Sequence, residues 1–310
     1  MIRLAFLGCG SIARAHAKRL RAHRDDVAVG FASRDSARAE AFARELGGSA
    51  HGTYEQAIAS PDVDAVAIVT PPDSHLSLTL AALGAGKHVV LEKPPLPRAA
   101  DFAQISEAAR AAGKQVFVAE NYQYKPLLGR IRDLLARQLI GDVLFVQVNA
   151  IKRQTDSGWR TEHGALYEGG IHWVDFMTSL GTVVRARGAR PKPITPAERS
   201  MLVTFEYAEG HVGSLAYSWE VPSTAKGLRL SKIYGRSGTI TFETNGLWVF
   251  LHGKKTRFYV PGLRDLAGYR AMWADFVRAW KSGTEPAMTL AHARRDLELV
   301  EEAYATAGES

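Results

Sequence analysis

The sequence predicts an α/β chain in two parts: a doubly wound parallel sheet, then an α+β domain with a mostly antiparallel, open-faced sheet. Three observations carry this. Short apolar runs alternate with helix-periodic segments up to Asn121. The first run feeds a helix through Gly8-Cys9-Gly10-Ser11-Ile12-Ala13. Beyond Pro126 the alternation gives way to strand-like runs joined by glycine-containing turns. At 310 residues the chain is too long for one compact core, and the domains are expected at 1–122 and 123–310.

The elements of the first part follow in order. Ile2 to Leu7 is short and apolar enough for a central strand, and Ile12 to Ala22 reads as its helix. A strand entering a helix through G-x-G-x-x-A brings main-chain N–H groups and the positive end of a helix dipole to one point. Gly8 permits the tight turn, Gly10 lets a pyrophosphate approach the backbone, and Ala13 lets helix and strand pack closely. Val27 to Ala32 is the second strand, followed by a helix with Asp35 or Ser36 as N-cap and Gly47-Gly48 as its stop.

The tip of that second strand is where an adenosine ribose is read. An acid there binds the 2′-hydroxyl, whereas arginine accommodates a 2′-phosphate. Ser33, Arg34 and Arg38 make a phosphate clamp, which favours NADP, while Asp35 keeps NAD open. The buried strand Val63 to Val69 breaks at Thr70-Pro71-Pro72, and a helix spans Ser74 to Ala85. His88 to Leu91 ends in Glu92-Lys93-Pro94, and a helix from Arg98 to Ala112 leads to the strand Gln115 to Ala119. Right-handed crossovers then place Gly8, Ser33, Thr70, Glu92, Lys93, Glu120 and Asn121 on one carboxyl edge.

In the second part, a helix around Leu127 to Leu135 precedes a strand at Val143 to Ile151, and a helix runs from about Gly164 to Leu180. Six strand-like runs follow between Met201 and Val260, and two helices close the chain. On the helix from Gly164, Glu168, His172, Asp175 and Ser179 form one polar stripe. Imidazole side chains exchange protons near neutral pH, and Glu168, one turn before His172, is placed to orient it. Gly169-Gly170 in mid-helix costs roughly 1 kcal/mol per residue relative to alanine. Something therefore packs closely there, a nicotinamide ring or a neighbouring backbone. No third ligand stands at a recognised spacing from Glu168 and His172, so no metal is expected.

These motifs resemble the glucose–fructose oxidoreductase / inositol dehydrogenase / rhizopine-catabolism (Gfo/Idh/MocA) family over essentially the whole chain. The resemblance rests on Gly8 to Ala13, Thr70-Pro71-Pro72 with His75, and Gly86 to Pro94 with its Glu92-Lys93-Pro94 ending. It continues through Asn121-Tyr122, Gly158-Trp159-Arg160, and Gly164 to Asp175. It implies a Rossmann-type domain and NAD(P)-dependent oxidation or reduction of a sugar, cyclitol or related polyol. Lys93 matches the catalytic lysine and His172 the catalytic histidine, with Glu168 where many members have aspartate. Cofactor contacts are implied for Gly8, Gly10, Ser11, Ile12, Ala13, Ser33, Arg34, Arg38, Thr70, Pro71, His75, Glu92, Lys93, Asn121, Trp159 and Arg160. A non-catalytic dinucleotide-binding sensor of the same fold is the competing class, and retention of both Lys93 and His172 favours the enzyme.

Composition bounds the rest. The net charge of +7 comes from basic residues scattered among acidic ones, which does not point to nucleic acid. One cysteine, Cys9, and no apolar run long enough to span a bilayer give the expectation of a cytoplasmic protein without membrane partners. The apolar run Leu247 to Leu251, with Phe205, Tyr207, Tyr217 and Trp219 on neighbouring strands, predicts a homodimer or tetramer with Trp248 or Phe250 near the interface.

Overall fold

A computed structural model describes residues 1–154, 162–192, 197–222 and 228–308. The chain forms two compact units, Met1–Glu120 with Tyr269–Arg294, and Asn121–Gly268 with Arg295–Ser310. No helix among the described residues is long and apolar enough to cross a membrane.

In the first unit, β1 (Ile2–Leu7), α1 (Ser11–Leu20), β2 (Val27–Ala32), α2 (Ser36–Leu46), β3 (Ser49–Ala50) and α3 (Tyr54–Ala59) come first. Then follow β4 (Ala65–Ile68), α4 (His75–Gly84), β5 (His88–Leu91), α5 (Phe102–Ala112) and β6 (Val116–Val118). The six strands are parallel in the order β3-β2-β1-β4-β5-β6. Order reverses at β1/β4, and a crevice outside the carboxyl ends of such strands is where ligands bind. The central strands are buried on both faces, as their continuous apolar runs require.

The second unit contains α6 (Pro126–Ala136), β7 (Val143–Ile151), a π-helical turn at Leu166–Gly170 and α7 (Ile171–Thr178). Strands β8 (Val183–Ala189), β9 (Ser200–Tyr207), β10 (Val212–Ser218), β11 (Leu230–Gly235), β12 (Gly238–Glu243), β13 (Val249–His252) and β14 (Arg257–Tyr259) complete it. Their sheet runs β14-β13-β12-β11-β7-β10-β9-β8, antiparallel except for β7 against β10. One face is covered: Phe176 of α7 packs on Phe242 of β12, ring centroids 5.6 Å apart.

The helices α8 (Tyr269–Ser282) and α9 (Leu290–Gly308) close the chain. The units are therefore not the contiguous 1–122 and 123–310 of the sequence reading. β6 is an edge strand, and α8 returns to cover it, with Phe276 and Trp280 at 5.0 and 5.4 Å from the Phe117 ring. Strand β8 is absent from the sequence reading because its inward residues are small. Ala186 and Gly188 are buried, alternating with outward Arg185, Arg187 and Ala189, and a Cβ on Gly188 would run into the Ala303 carbonyl of α9.

Of the aromatics expected on an open sheet face, Phe205, Tyr207, Tyr217 and Trp219 are buried within the unit. Trp248 is half-buried, stacked on Phe258, and Phe250 is exposed between the buried Val249 and Leu251. The apolar side chains left on the open face also include Phe145, Leu202, Leu230 and Phe258.

Candidate active site

The first unit builds a dinucleotide cradle from backbone. Gly8 sits at φ +120°, where a side chain would strain the chain, and a Cβ there would lie 3.0 Å from the Val69 carbonyl oxygen. Gly10 is the N-cap of α1 with no side chain capping it and no acid in the first turn, and a Cβ on Gly10 would meet only open space. Main-chain N–H groups at this helix start are left for an anion, and a pyrophosphate fits that donor set. Ser11 and Ile12 open the helix, and buried Ala13 lets it lie on the sheet.

At the tip of β2, the two readings of the ribose site separate. Asp35 is the N-cap of α2, its carboxylate accepting from the Ala37 N–H at 3.1 Å, so the acid that would favour NAD serves the helix. Arg34 and Arg38 are exposed, and Ser33 Oγ accepts weakly from the Asp35 N–H at 3.4 Å. Tyr54 joins this group: its half-buried phenol feels the charges of Arg34 and Arg38. Burial pushes the Tyr54 phenol up, and the two arginines pull it back. Burial likewise raises the Cys9 thiol against the pull of Arg38. Tyr54 is absent from the sequence reading because α3 is only six residues long; the Thr53/Gln56 capping box was its available signal.

Two of the residues expected at the cofactor are braced by internal hydrogen bonds. His75 is fully buried, its Nε2 facing the Thr70 carbonyl at 2.8 Å and its Nδ1 the Pro95 carbonyl at 3.0 Å. Burial holds its pKa down while the two carbonyls oppose that. The ring joins the loops after β4 and β5. Glu92, 6% exposed, takes the Lys93 main-chain N–H at 2.6 Å and meets His16 Nε2 at 2.9 Å. Its carboxylate thus serves to hold the chain beside it. Thr70 accepts from Ser74 Oγ at 2.7 Å, and exposed Pro71 follows it at the same edge. Lys93 is half-buried and follows β5 directly, at the same carboxyl edge as the glycine turn.

In the second unit, the polar stripe of α7 is covered by the short helical turn Asn121–Tyr124. Tyr122 stacks on His172, centroids 4.3 Å apart and planes 11° apart, with Trp173 edge-on at 5.1 Å. Lys125 Nζ lies 4.3 Å from the Tyr122 ring centroid. Gln123 reaches Asp175 and Ser179, at 3.4 and 3.3 Å. Asn121, buried, donates to the Ala267 carbonyl at 2.5 Å. Trp159 and Arg160 lie outside the described residues.

Glu168 and His172 do not sit on one uniform helix, because Glu168 lies in the π-helical turn Leu166–Gly170 and His172 in α7. Such turns recur at functional sites. Glu168 is 3% exposed. The glycine pair is crowded by side chains of this unit: a Cβ on Gly169 would strike the Tyr217 hydroxyl, and one on Gly170 would crowd Leu166 and Tyr217. Burial, and then the charge of Glu168, hold the Tyr217 phenol well above its usual range, against the Trp219 indole N–H that donates to it at 2.8 Å.

Glu198 and Tyr304 complete this half and were not legible in the sequence. Glu198 accepts the Leu166 N–H at 2.7 Å and the Tyr304 hydroxyl at about 3 Å, and the Tyr304 oxygen accepts the Tyr167 N–H at 3.1 Å. Together they cap the helical segment that carries Glu168 and His172. Burial pushes the Glu198 carboxyl up while these two donors pull it back. A raised acid adds stability below its unfolded pKa and loses it as pH rises through the folded value. Tyr304→Phe strips a donor from the charged form, so it is expected to destabilise by about 1–3 kcal/mol at neutral pH, and by less near the ordinary carboxyl pKa, about 4.3. Urea unfolding at the two pH values checks this; a variant as stable as wild type at both would remove the cap from the account.

Among known proteins, residues 2–120 match the model of an oxidoreductase family with an NAD-binding Rossmann fold, and residues 129–241 match the GFO/IDH/MocA C-terminal domain. The dTDP-3,4-didehydro-2,6-dideoxy-alpha-D-glucose 3-reductase of Streptomyces violaceoruber is 35% identical over 61% of this chain and 57% of its own length. The D-xylose 1-dehydrogenase (NADP(+)) 2 of Haloferax volcanii is 38% identical over 42% of this chain and 40% of its own. The fold matches that of a levoglucosan dehydrogenase solved with NADH and levoglucosan, with TM-score 0.88, 18% identity, and coverage of 99% and 97% of the two chains.

Proposed function

The chain belongs to the Gfo/Idh/MocA oxidoreductase family, and on that premise we propose that it is an NADP-dependent dehydrogenase or reductase acting on the CH–OH group of a sugar, cyclitol or related polyol. The observation that carries this is the placement, on one sheet edge, of an uncapped glycine-led helix start and a lysine whose main chain is tied down. Relatives named for reduction at a dTDP-linked sugar and for NADP(+)-dependent xylose oxidation favour the substrate class and the cofactor.

Gly8, Gly10, Ser11, Ile12 and Ala13 form the pyrophosphate cradle, and Arg34, Arg38 and Ser33 take the 2′-phosphate. The bound dinucleotide supplies or accepts the hydride. Lys93 hydrogen-bonds the substrate oxygen and stabilises its alkoxide character. His172, held by its stack on Tyr122, takes or gives the hydroxyl proton, and Glu168 sets the charge on the turn before it. A single buried cysteine suits a reducing, cytoplasmic compartment.

A screen of NADP⁺ and NAD⁺ reduction across aldoses, inositols and other polyols, and of NADPH oxidation across ketoses, tests the reading. Turnover faster with NADP(H) is expected. Dinucleotide binding without turnover in either direction would instead mark a sensor.

The exposed Phe145, Leu202, Leu230, Phe250 and Phe258 on one sheet face lead us to propose a homodimer, or a tetramer of dimers, through that face. Light scattering is expected to give at least twice 33.8 kDa, and a monomer mass unchanged on concentration would rule this out.

A further inference from the structure

We propose that His16 is a positioning residue for Lys93, held in one tautomer by Trp273 so that it fixes the carboxylate gripping the Lys93 main chain; this rests on the catalytic reading of Lys93. The chain of contacts lies within the first unit and is buried, with Trp273 0%, His16 1% and Glu92 6% exposed. The Trp273 indole N–H donates to His16 Nδ1 at 3.0 Å. An indole nitrogen only donates, so Nδ1 carries no proton and the ring's N–H is on Nε2. That N–H faces Glu92 Oε1 at 2.9 Å, while Glu92 Oε2 accepts the Lys93 main-chain N–H at 2.6 Å. Trp273 and Tyr269 also lie edge-on to the imidazole, at 5.5 and 5.3 Å, so the ring has little room to turn.

The geometry matters because Lys93 follows the end of β5 and its side chain must reach a reacting oxygen from there. A displacement of about 1 Å at such a group can cost roughly 10²-fold in rate. His16 lies on α1, the helix whose start forms the cofactor cradle, so one imidazole ties that cradle to the Lys93 backbone. The third anchor comes from α8, the late segment that belongs to the first unit. Glutamine at position 16 carries an amide N–H where Nε2 stands, whereas phenylalanine fills the space with no donor.

Two readouts test this without a substrate. In histidine-¹⁵N-labelled protein, His16 is expected as the Nε2–H tautomer, and Trp273→Phe is expected to change its ring nitrogen shifts. Exchange of the Lys93 amide proton is expected to quicken at least tenfold in His16→Phe and to slow again in His16→Gln. An Nδ1–H tautomer, or exchange equal in all three proteins, would overturn the proposal.

Activity, measured with the fastest sugar or polyol from the NADP⁺ screen, separates positioning from general damage. His16→Phe is expected to lose about tenfold or more in kcat with NADPH affinity kept, and His16→Gln to recover much of it. On a Lys93→Met background, His16→Phe is expected to cost nothing further. A large kcat loss in Lys93→Met beside an unchanged kcat in His16→Phe would sink the positioning role alone. Full activity in Lys93→Met would sink the catalytic reading and this proposal with it.

Discussion

Lys93→Met is expected to lower kcat by roughly 10²-fold or more, with NADPH affinity little changed, and His172→Ala to do the same. Methionine keeps the length and apolar stem of the lysine, so the variant removes the ammonium donor while leaving the space filled. The main chain at position 93 is held by Glu92 through its own N–H, which methionine retains. Cofactor affinity is spared because the cradle is made by the backbone around Gly8 and Gly10, which neither substitution touches. At position 172, alanine removes the imidazole and leaves Tyr122 without the ring it stacks on. Some loss of stability is therefore expected in His172→Ala and not in Lys93→Met. Steady-state kinetics with the screened substrate, beside a fluorescence titration of NADPH, checks both. Wild-type turnover in both variants would show that neither side chain handles the substrate oxygen.

The elements that sequence alone placed well are those bounded by hard stops. β2 and β5 have the boundaries read from Val27 to Ala32 and His88 to Leu91, because a buried apolar run ends there at a turn or at Glu92-Lys93-Pro94. Short elements escaped: β3 has two residues and α3 six, and Tyr54, whose phenol feels the charge of Arg34, went with them. The π-helical turn escaped for another reason. A period of 3.6 assumes uniform hydrogen bonding, and the crowding of Tyr217 and Trp219 on Gly169 that accompanies the turn is a long-range contact. Glu198 with Tyr304, and His16 with Trp273, are separated by 106 and 257 positions, so no local pattern announces them. His75 and Glu92 are marked by motif position, but the internal hydrogen bonds that brace loops and backbone through them are long-range or conformational and are not visible there.

Arg34→Ala is expected to weaken NADPH binding by about 10- to 150-fold and NADH binding far less. A hydrogen bond to a charged group contributes roughly 1.5–3 kcal/mol, and each 1.4 kcal/mol is about a factor of ten. What each side chain at this edge is already doing favours phosphate over hydroxyl. Asp35, the residue that would accept from a ribose hydroxyl, accepts from Ala37 at the start of α2, and moving it would uncap that helix. Arg34 and Arg38 stand exposed on either side of it, and their charges act on the half-buried Tyr54 phenol. A guanidinium presents a planar fork of donors matched to a phosphate, so its loss falls on the cofactor that carries one there. The difference between the two cofactors is expected to shrink with added salt, because both arginines are solvent-facing. Titrating both reduced cofactors into wild type and Arg34→Ala at low and high salt checks this. Equal losses for NADPH and NADH would mean that Arg34 supports the edge of the site without reading the 2′-phosphate, and Asp35 would return as the ribose contact.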